Sequence, residues 1–167
     1  MSSSQSRANR LLSAWIPAIC AIAVICWEST SQFSATNTST PLRHLWEFLL
    51  GPVSNLAWGT IHHHIRKTGH LLGYGLLSGF LFRAWFLTID FKTARRMLAW
   101  KVSAALALAC TFLIASGDEI HQKFLPSRSS SPRDVAIDMA GALAMQLLTA
   151  TILLLPSQAR RIFDTET

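Results

Sequence analysis

The residues with the clearest chemical potential in this sequence are the acidic and histidine side chains between positions 115 and 141. This polar stretch separates two apolar runs, and it holds five such side chains: Asp118, Glu119, His121, Asp134 and Asp138. Gln122, Lys123, Arg128 and Arg133 lie among them. Carboxylates and imidazoles transfer protons, and guanidinium and ammonium groups bind phosphate or carboxylate. The stretch is therefore the candidate site of acid–base chemistry or anion binding.

Helical spacing brings further polar residues to the same level of the molecule. Lys67, His70 and Tyr74 are spaced i, i+3 and i+7, so they share one helix face, and Asp134 and Asp138 share another. Asp118, Glu119 and Gln122 fall at the end of the third apolar run. A charge near hydrocarbon is costly unless it is paired or wetted, so Asp138 requires a partner. The candidates are Lys67, His70 and Arg128. The structural alternative is that these residues only hold the helices together through buried ion pairs.

The elements that must position these side chains are membrane helices. The chain is 50% hydrophobic and only 14% charged, against about 25% charged in soluble domains, and its mean hydropathy is +0.32. Four apolar runs, at about 11–27, 69–87, 98–116 and 136–155, are each long enough to cross a bilayer. We therefore predict an all-α membrane protein in which a bundle of four transmembrane helices forms a single domain over residues 1–167.

Two of the runs carry further signals. Trp15 and Trp27 bracket the first run as interfacial anchors do, so we expect a retained helix rather than a cleaved signal peptide. In the second run, small residues predict close helix packing: Gly73, Gly75, Ser78 and Gly79. Arg83, near its end, is expected to reach toward the interface.

The segment between the first two runs is mixed in character. The Ser/Thr-rich residues 29–41 predict a loop, and residues 43–59 predict a short amphipathic or re-entrant helix that breaks near Gly51 and Pro52. Residues 62–64 are three consecutive histidines. Because consecutive side chains on a helix cannot face one ion, a solvated loop is favoured over a metal site there.

Charge and cysteine content restrict partners and topology. The net charge of +6 arises from residues that flank apolar runs, which does not favour nucleic-acid binding. The three cysteines lie within apolar runs and predict no disulfide framework. Basic residues are densest in the two tails and in the second loop, which includes Lys92, Arg95 and Arg96. The positive-inside rule then places both termini in the cytoplasm and the polar stretch outside.

Three blocks of residues carry a resemblance to a known family. They are Lys67-x-x-His70-x-x-x-Tyr74, then Asp118-Glu119-x-His121-Gln122-x-Phe124-x-Pro126-x-Arg128, then Asp134-x-x-x-Asp138-x-x-Gly141. Between positions 67 and 141 the chain resembles the VanZ-like family of bacterial membrane proteins. The resemblance implies a helical bundle in the bacterial cytoplasmic membrane, and the founding member is associated with resistance to the glycopeptide teicoplanin. It implies no particular reaction.

Two positions depart from the pattern of that family. Arg66 stands where the family commonly has an acid, and Asp138 stands where it commonly has Asn. An ion pair between neighbours on one helix is therefore expected to become a pair between two helices.

Three functions are compatible with the sequence. The first is binding or modulation of a cell-envelope lipid headgroup, a peptidoglycan precursor or an amphiphilic antibiotic, without a cofactor. Its expected binding residues are Lys67, His70, Tyr74, Glu119, Gln122, Arg128, Asp134 and Asp138. Lys67, Arg128 and Arg133 would take phosphate or carboxylate. A small transporter or channel is the third function, disfavoured because the spans hold few polar residues through their middle and inner halves.

The second function is a membrane-embedded enzyme acting on a lipid-linked envelope substrate. Glu119 or Asp118 would serve as general base beside His70 or His121, Tyr74 as proton donor and Arg128 as oxyanion stabiliser. A metal centre of His70, His121 and Asp118 is a less favoured variant, because no ligand spacing compels it. Pro126-Ser127-Arg128 lacks the Gly and His of the lipid-phosphatase loop. Whichever function holds, we expect Glu119 and Arg128 to face each other and form one site.

Overall fold

The computed structural model describes residues 3–89, 96–126, 128 and 130–154, and this part of the chain is helical with no strand. The elements are α1 (Ser3–Glu28), a 3-10 turn (Ser31–Phe33), α2 (Ala35–Leu50), α3 (Asn55–Thr88), α4 (Arg96–Lys123) and α5 (Pro132–Leu154). Four stretches have the length and composition to cross a membrane: Arg7–Glu28, Asn55–Thr88, Met97–Lys123 and Pro132–Ile152. The predicted all-α membrane bundle is confirmed.

The helices are longer than the apolar runs that predicted them. α3 begins at Asn55 rather than near 69, and α4 continues to Lys123 rather than 116. Apolar runs mark only the part of a helix that suits hydrocarbon, whereas the backbone stays helical through the polar turns that carry the site. The predicted end at Leu155 and the basic second-loop residues Lys92 and Arg95 lie outside the described residues.

The four long helices run alternately up and down. At one end, Ser29, just after α1, hydrogen-bonds His121 of α4 (Oγ to Nδ1, 3.0 Å). At the opposite end, the indole N–H of Trp15 donates to the Thr88 hydroxyl at 2.9 Å. The first end, formed by the C-termini of α1 and α4, the first half of α3 and the start of α5, is called the polar end below.

α3 packs against all three other long helices, most extensively against α5. The two backbones meet at Gly141, where a Cβ would overlap the carbonyl oxygen of Leu71. A Cβ on Gly75 would lie 3.1 Å from the carbonyl oxygen of Gly141, whereas one on Gly73 would meet nothing within 4 Å. Close packing of α3 therefore depends on part of the predicted small-residue set, and Gly73 faces away from this contact.

α1 and α3 contact each other beside a proline in the interior of α1. Pro17 has no backbone N–H, so the carbonyl of Ser13 has no helical partner four residues on. The guanidinium of Arg83, which was expected to reach toward the interface, donates to that carbonyl oxygen at 2.9 Å. Trp15 and Trp85 pack edge to face beside it, with ring centroids 5.1 Å apart. The interior proline of α1 is thus accommodated by a side chain from α3.

α2 lies along the first turns of α3. The indole N–H of Trp58 donates to the Ser39 hydroxyl at 2.8 Å, and Thr38 hydrogen-bonds His62 at 3.1 Å. The second half of α2 exposes large apolar side chains: Leu45, Phe48, Leu49 and Leu50. A short extra helix and a break near Gly51 were predicted, and the structure has both, but the helix spans Ala35–Leu50 and residues 55–59 already belong to α3. Gly51 has φ +91°, which glycine adopts without strain.

Two predictions for this region were wrong. The Ser/Thr-rich segment is helical from Ala35 onward, because the Ser34 hydroxyl accepts from the backbone N–H of Asn37 and caps the helix. The histidine triplet lies within α3 rather than in a loop, since the Ser54 cap starts that helix upstream of it. His62 is buried and stacks on Trp58 with centroids 5.5 Å apart, whereas His63 and His64 are exposed.

Candidate functional site

The polar end contains a hydrogen-bonded link between α3 and α4. The Tyr74 hydroxyl donates to Asp118 Oδ2 at 3.2 Å, and the Gln122 amide donates to the same oxygen at 2.9 Å. Gln122 lies one turn after Asp118, so both face α3 together. Tyr74 is almost fully buried. These three predicted site residues are therefore brought together, with the carboxylate as the shared acceptor.

Two ion pairs connect α3 to α5. Lys67 pairs with Asp134, and His70 Nδ1 lies 3.4 Å from Asp138 Oδ1. Asp138 is fully buried, and neither of its oxygens has a hydrogen-bond partner within the described part of the chain. Of the three partners considered for Asp138, the structure places His70 there. The i, i+3 spacing on α3 matches the i, i+4 spacing on α5, so the two pairs stack along the same interface.

Glu119 holds the connection between α4 and α5. Its Oε2 accepts from the backbone N–H of Ser131 at 2.9 Å, and its backbone carbonyl accepts from the Ser130 hydroxyl at 2.8 Å. Its other carboxylate oxygen, Oε1, is buried without a hydrogen-bond partner among the described residues. Glu119 thus faces the start of α5 and fixes the loop that leads to it.

Arg128 closes the end of α1 instead of facing Glu119. Its guanidinium donates to the backbone carbonyls of Glu28 and Thr30, with Nη2 2.9 Å from the Thr30 oxygen. A cation at a helix C-terminus is favourable because unpaired carbonyls gather there. The expected Glu119–Arg128 pair is absent from the ion pairs of the described residues, so that prediction was wrong. Burial, and after it the positive charge of Arg66, lowers the pKa of Arg128.

His121 is not brought to the other candidate catalytic residues. Its Nδ1 contacts Ser29 beside the end of α1. Throughout residues 3–89, 96–126, 128 and 130–154, no group of three His, Cys, Asp or Glu residues is arranged to hold a metal ion. The variant metal centre of His70, His121 and Asp118 therefore has no support in the geometry.

Three cavities surround His70 at the polar end. The largest, of about 260 Å³, lies between α3 and the segment around Ala35, and it is lined by Ala35, Gly59, His62, His63, Arg66, Lys67, His70, Gln122 and Asp134. A second, of about 140 Å³, is lined by Glu28, Phe33, Thr38, Leu42, Arg66, Gly69, His70 and Arg128. A third, of about 30 Å³, reaches Tyr74 and Asp118. His70 lines all three, so the cavities adjoin one another around its side chain; together they are called the cleft below.

Arg66 is the site residue that the binding and catalytic assignments from the sequence missed. It lines both larger cavities, and its guanidinium makes no hydrogen bond or ion pair with the described part of the chain. Two signals point to it in the sequence: it replaces an acid expected from the resemblance, and it lies one helical turn from both His62 and His70. Arg133, expected to bind anions, is exposed at the start of α5 and lines none of these cavities.

Four long apolar helices with a polar site built between them define a multi-pass integral membrane protein. A family model described as VanZ/LLP1 matches residues 14–154, which is most of the chain, and the protein therefore belongs to the VanZ/LLP1 family. No curated protein and no solved structure gives a significant match to the chain.

Proposed function

We propose that this protein binds the polar headgroup of a cell-envelope amphiphile in the cleft around His70. The candidate ligands are an envelope lipid, a lipid-linked peptidoglycan precursor and a glycopeptide-type antibiotic such as teicoplanin. The observation that carries the proposal is the cavity of about 260 Å³ lined by three histidines, Arg66 and the Lys67–Asp134 pair. Small-molecule sites typically measure about 300–1,000 Å³, and the adjoining cavity of about 140 Å³ brings the cleft into that range.

The position of the cleft along α3 supports a ligand that belongs to the membrane. α3 has 34 residues and is about 51 Å long, whereas the hydrocarbon core of a bilayer is about 30 Å thick. About 20 Å of this helix must therefore lie at or beyond the headgroups. With the apolar residues from Gly69 onward in hydrocarbon, Arg66 and Lys67 fall at the boundary, where headgroups and hydrocarbon meet. A headgroup would enter the cleft sideways while its chains stay in the bilayer.

The same proposal places the protein in the bacterial cytoplasmic membrane with both termini in the cytoplasm. The polar end, which carries Ser29 and Ser130, would then face the outside. Envelope precursors and glycopeptides are encountered at the outer face of the membrane, which supports binding of such a ligand over a role inside the cell.

Photolabelling tests the proposal. The full chain is reconstituted in phosphatidylcholine nanodiscs with a diazirine-bearing phosphatidylglycerol, and labelled peptides are mapped. We expect saturable labelling concentrated in residues 28–42 and 59–74, competed by unlabelled phosphatidylglycerol. Arg10→Gln removes a positive charge at the opposite end of the bundle, away from the cleft; it serves as the control and should label like the wild type. Labelling that never saturates, or that spreads evenly over the outer faces of the helices, would contradict the proposal.

One observation favours a second candidate function, catalysis on the bound headgroup. His70 lines all three cavities, and its Nδ1 lies 3.4 Å from Asp138 Oδ1, close enough for the carboxylate to favour a proton on the imidazole. His70 would then act as general base or nucleophile, with Tyr74 as a nearby proton donor. Product formation from a lipid-linked phosphate, followed by chromatography and lost in His70→Gln, would support catalysis. Saturable binding without turnover would mean that the protein binds the headgroup and does not react with it.

A further inference from the structure

The smaller of the two main cavities carries an unbalanced pair of cations. The guanidinium groups of Arg66 and Arg128 both line its wall, and Glu28 is the one carboxylate among its lining residues. The guanidinium of Arg128 uses Nε and Nη2 on the backbone carbonyls of Glu28, at the end of α1, and Thr30, just after it, whereas that of Arg66 has no partner in the described segments. Neither arginine forms an ion pair with a carboxylate there.

Two guanidinium groups beside one cavity repel each other, and part of their hydration is lost. Arg66 and Arg128 are both partly buried, and the charge of Arg66 acts on Arg128 directly. The charge of Asp134 acts favourably on Arg66, and those of Asp118, Glu28 and Glu119 act favourably on Arg128. None of these carboxylates forms an ion pair with either arginine, so an anion between the two guanidinium groups would stabilise both further. The free N–H groups of Arg66 and the unused Nη1 of Arg128 supply the donors that this anion would need.

Shape and lining indicate which anion fits. The cavity, of about 140 Å³, has room for a group of about five heavy atoms such as phosphate. Guanidinium forks match phosphate oxygens in pairs. Phe33 and Leu42 provide an apolar wall on the side toward α2, where the first carbons attached to the phosphate would lie.

We infer that Arg66 and Arg128 form a seat for the phosphate group of an amphiphilic phosphomonoester, and that the larger cavity beside His70 holds the rest of its headgroup. The inference rests on the proposed function and narrows it to a phosphate-bearing ligand. It also explains why Arg66 has no partner within the described part of the protein. Arg128 has a second effect, because its contacts with Glu28 and Thr30 bring the end of α1 to the ligand.

Two phosphate probes and one carboxylate probe test the seat. The full chain is purified in dodecyl maltoside, which contains no phosphate, and titrated with lysophosphatidate, inorganic phosphate or oleate. Binding is followed by the shift in melting temperature and by native mass spectrometry. We expect saturable binding of lysophosphatidate, at least tenfold weaker binding of inorganic phosphate because it lacks the apolar contacts, and no site-specific binding of oleate.

Variants assign the binding to the two arginines. Arg66→Gln should weaken lysophosphatidate binding at least tenfold, the effect of losing charge-assisted hydrogen bonds. The ligand-free melting temperature should stay unchanged or rise, because Arg66 has no partner to lose. Arg128→Lys keeps the charge but loses the fork, and it should weaken binding while also loosening α1. Arg10→Gln should leave binding unchanged.

The outcomes separate this inference from the proposed function. Unchanged lysophosphatidate affinity in Arg66→Gln, or equally tight binding of oleate, would overturn the phosphate seat. Equal affinity for inorganic phosphate would show that the site takes the free anion rather than a lipid headgroup, which also overturns it. If lysophosphatidate does not bind but the photoactivatable phosphatidylglycerol still labels saturably, the seat is wrong and the proposed function stands. Failure of both lipids would contradict the proposed function itself.

Discussion

Adding one methyl group at Gly141 tests the closest approach in the bundle. A Cβ at this position would overlap the carbonyl oxygen of Leu71, and that oxygen belongs to the backbone of α3. No change of side-chain rotamer can relieve such a contact, so α3 and α5 would have to move apart. The Lys67–Asp134 and His70–Asp138 pairs join the same two helices and would lengthen with that movement.

The expected cost follows from two opposing effects. Overpacking a close-packed interface destabilises by about 1–3 kcal/mol, and the rigid obstacle at Gly141 places it near the upper value. Replacing glycine by alanine within a helix returns about 0.5–1 kcal/mol through the lower entropy of the unfolded chain. We therefore expect Gly141→Ala to destabilise the protein by about 2 kcal/mol net.

Three glycines of α3 provide graded controls for this substitution in α5. A Cβ on Gly75 would lie 3.1 Å from the carbonyl oxygen of Gly141, which requires a smaller shift of backbone. At Gly79 the nearest atom is the flexible Met145 side chain, 3.2 Å away, so Gly79→Ala should be nearly neutral. Gly73 has open space, and Gly73→Ala should stabilise by about 0.5–1 kcal/mol.

Unfolding in mixed dodecyl maltoside and dodecyl sulfate micelles, followed by circular dichroism, measures this order. The expected series of decreasing stability is Gly73→Ala, Gly79→Ala, Gly75→Ala and Gly141→Ala. If Gly141→Ala is as stable as Gly73→Ala, the backbone contact between α3 and α5 described above does not exist.

Three further predictions concern other parts of the fold. Asp138→Leu should destabilise the protein by about 2 kcal/mol, because it leaves His70 without its charged partner. Asp138→Asn keeps a hydrogen-bond acceptor and should stay within about 1 kcal/mol of the wild type. Equal melting temperatures of the two variants would show that the buried carboxylate has no charged partner. Arg83→Gln should lower the free energy of unfolding by about 1 kcal/mol. The loss should be smaller in a Pro17→Ala background, because residue 17 then has a backbone N–H that can donate to the Ser13 carbonyl. If the losses of the two substitutions simply add, Arg83 does not have the role assigned to it. In a chain without its three cysteines, an impermeant maleimide should label Ser130→Cys in intact spheroplasts and leave Arg7→Cys unlabelled, and the reverse pattern would invert the proposed topology.

Local signals were sufficient to predict the bundle and the helices that carry the site. Hydropathy located all four spans, and helical spacing placed Lys67, His70 and Tyr74 on one face of the second and Asp134 and Asp138 on one face of the fourth. These predictions succeed because both signals depend only on residues within a few turns of one another. The convergence at one end then follows from alternating helix direction.

Contacts that depend on the path of a loop could not be predicted from such local signals. Glu119 and Arg128 are only nine positions apart, yet one contacts Ser131 and the other reaches back to Glu28 and Thr30. Charge favoured their pairing, but the backbone carbonyls of Glu28 and Thr30, at and just after the end of α1, compete for the guanidinium and are about a hundred residues away in sequence. The prediction of a loop in the Ser/Thr-rich segment was wrong for a related reason, since Ser34 caps the start of α2 and the residues after it are helical.

Arg66 and Lys67 are neighbours on α3, but one lines the cleft and the other holds α3 to α5. Adjacent helical residues do not face the same way, so Lys67 turns to Asp134 of α5 while Arg66 turns to the cleft beside the start of α2. The bundle accounts for Lys67 and Tyr74, because each contacts a carboxylate on another helix, and for Glu119, which holds the loop before α5. Gln122 donates to Asp118 within α4 and supports the acceptor of the Tyr74 hydroxyl. Arg66 differs, because its guanidinium is partly buried and makes no hydrogen bond or ion pair in the described chain, although the charge of Asp134 acts on it. A partly buried charge without a direct contact is where an external anion has the most to stabilise, and this difference between neighbours is the reason for proposing a ligand at the polar end.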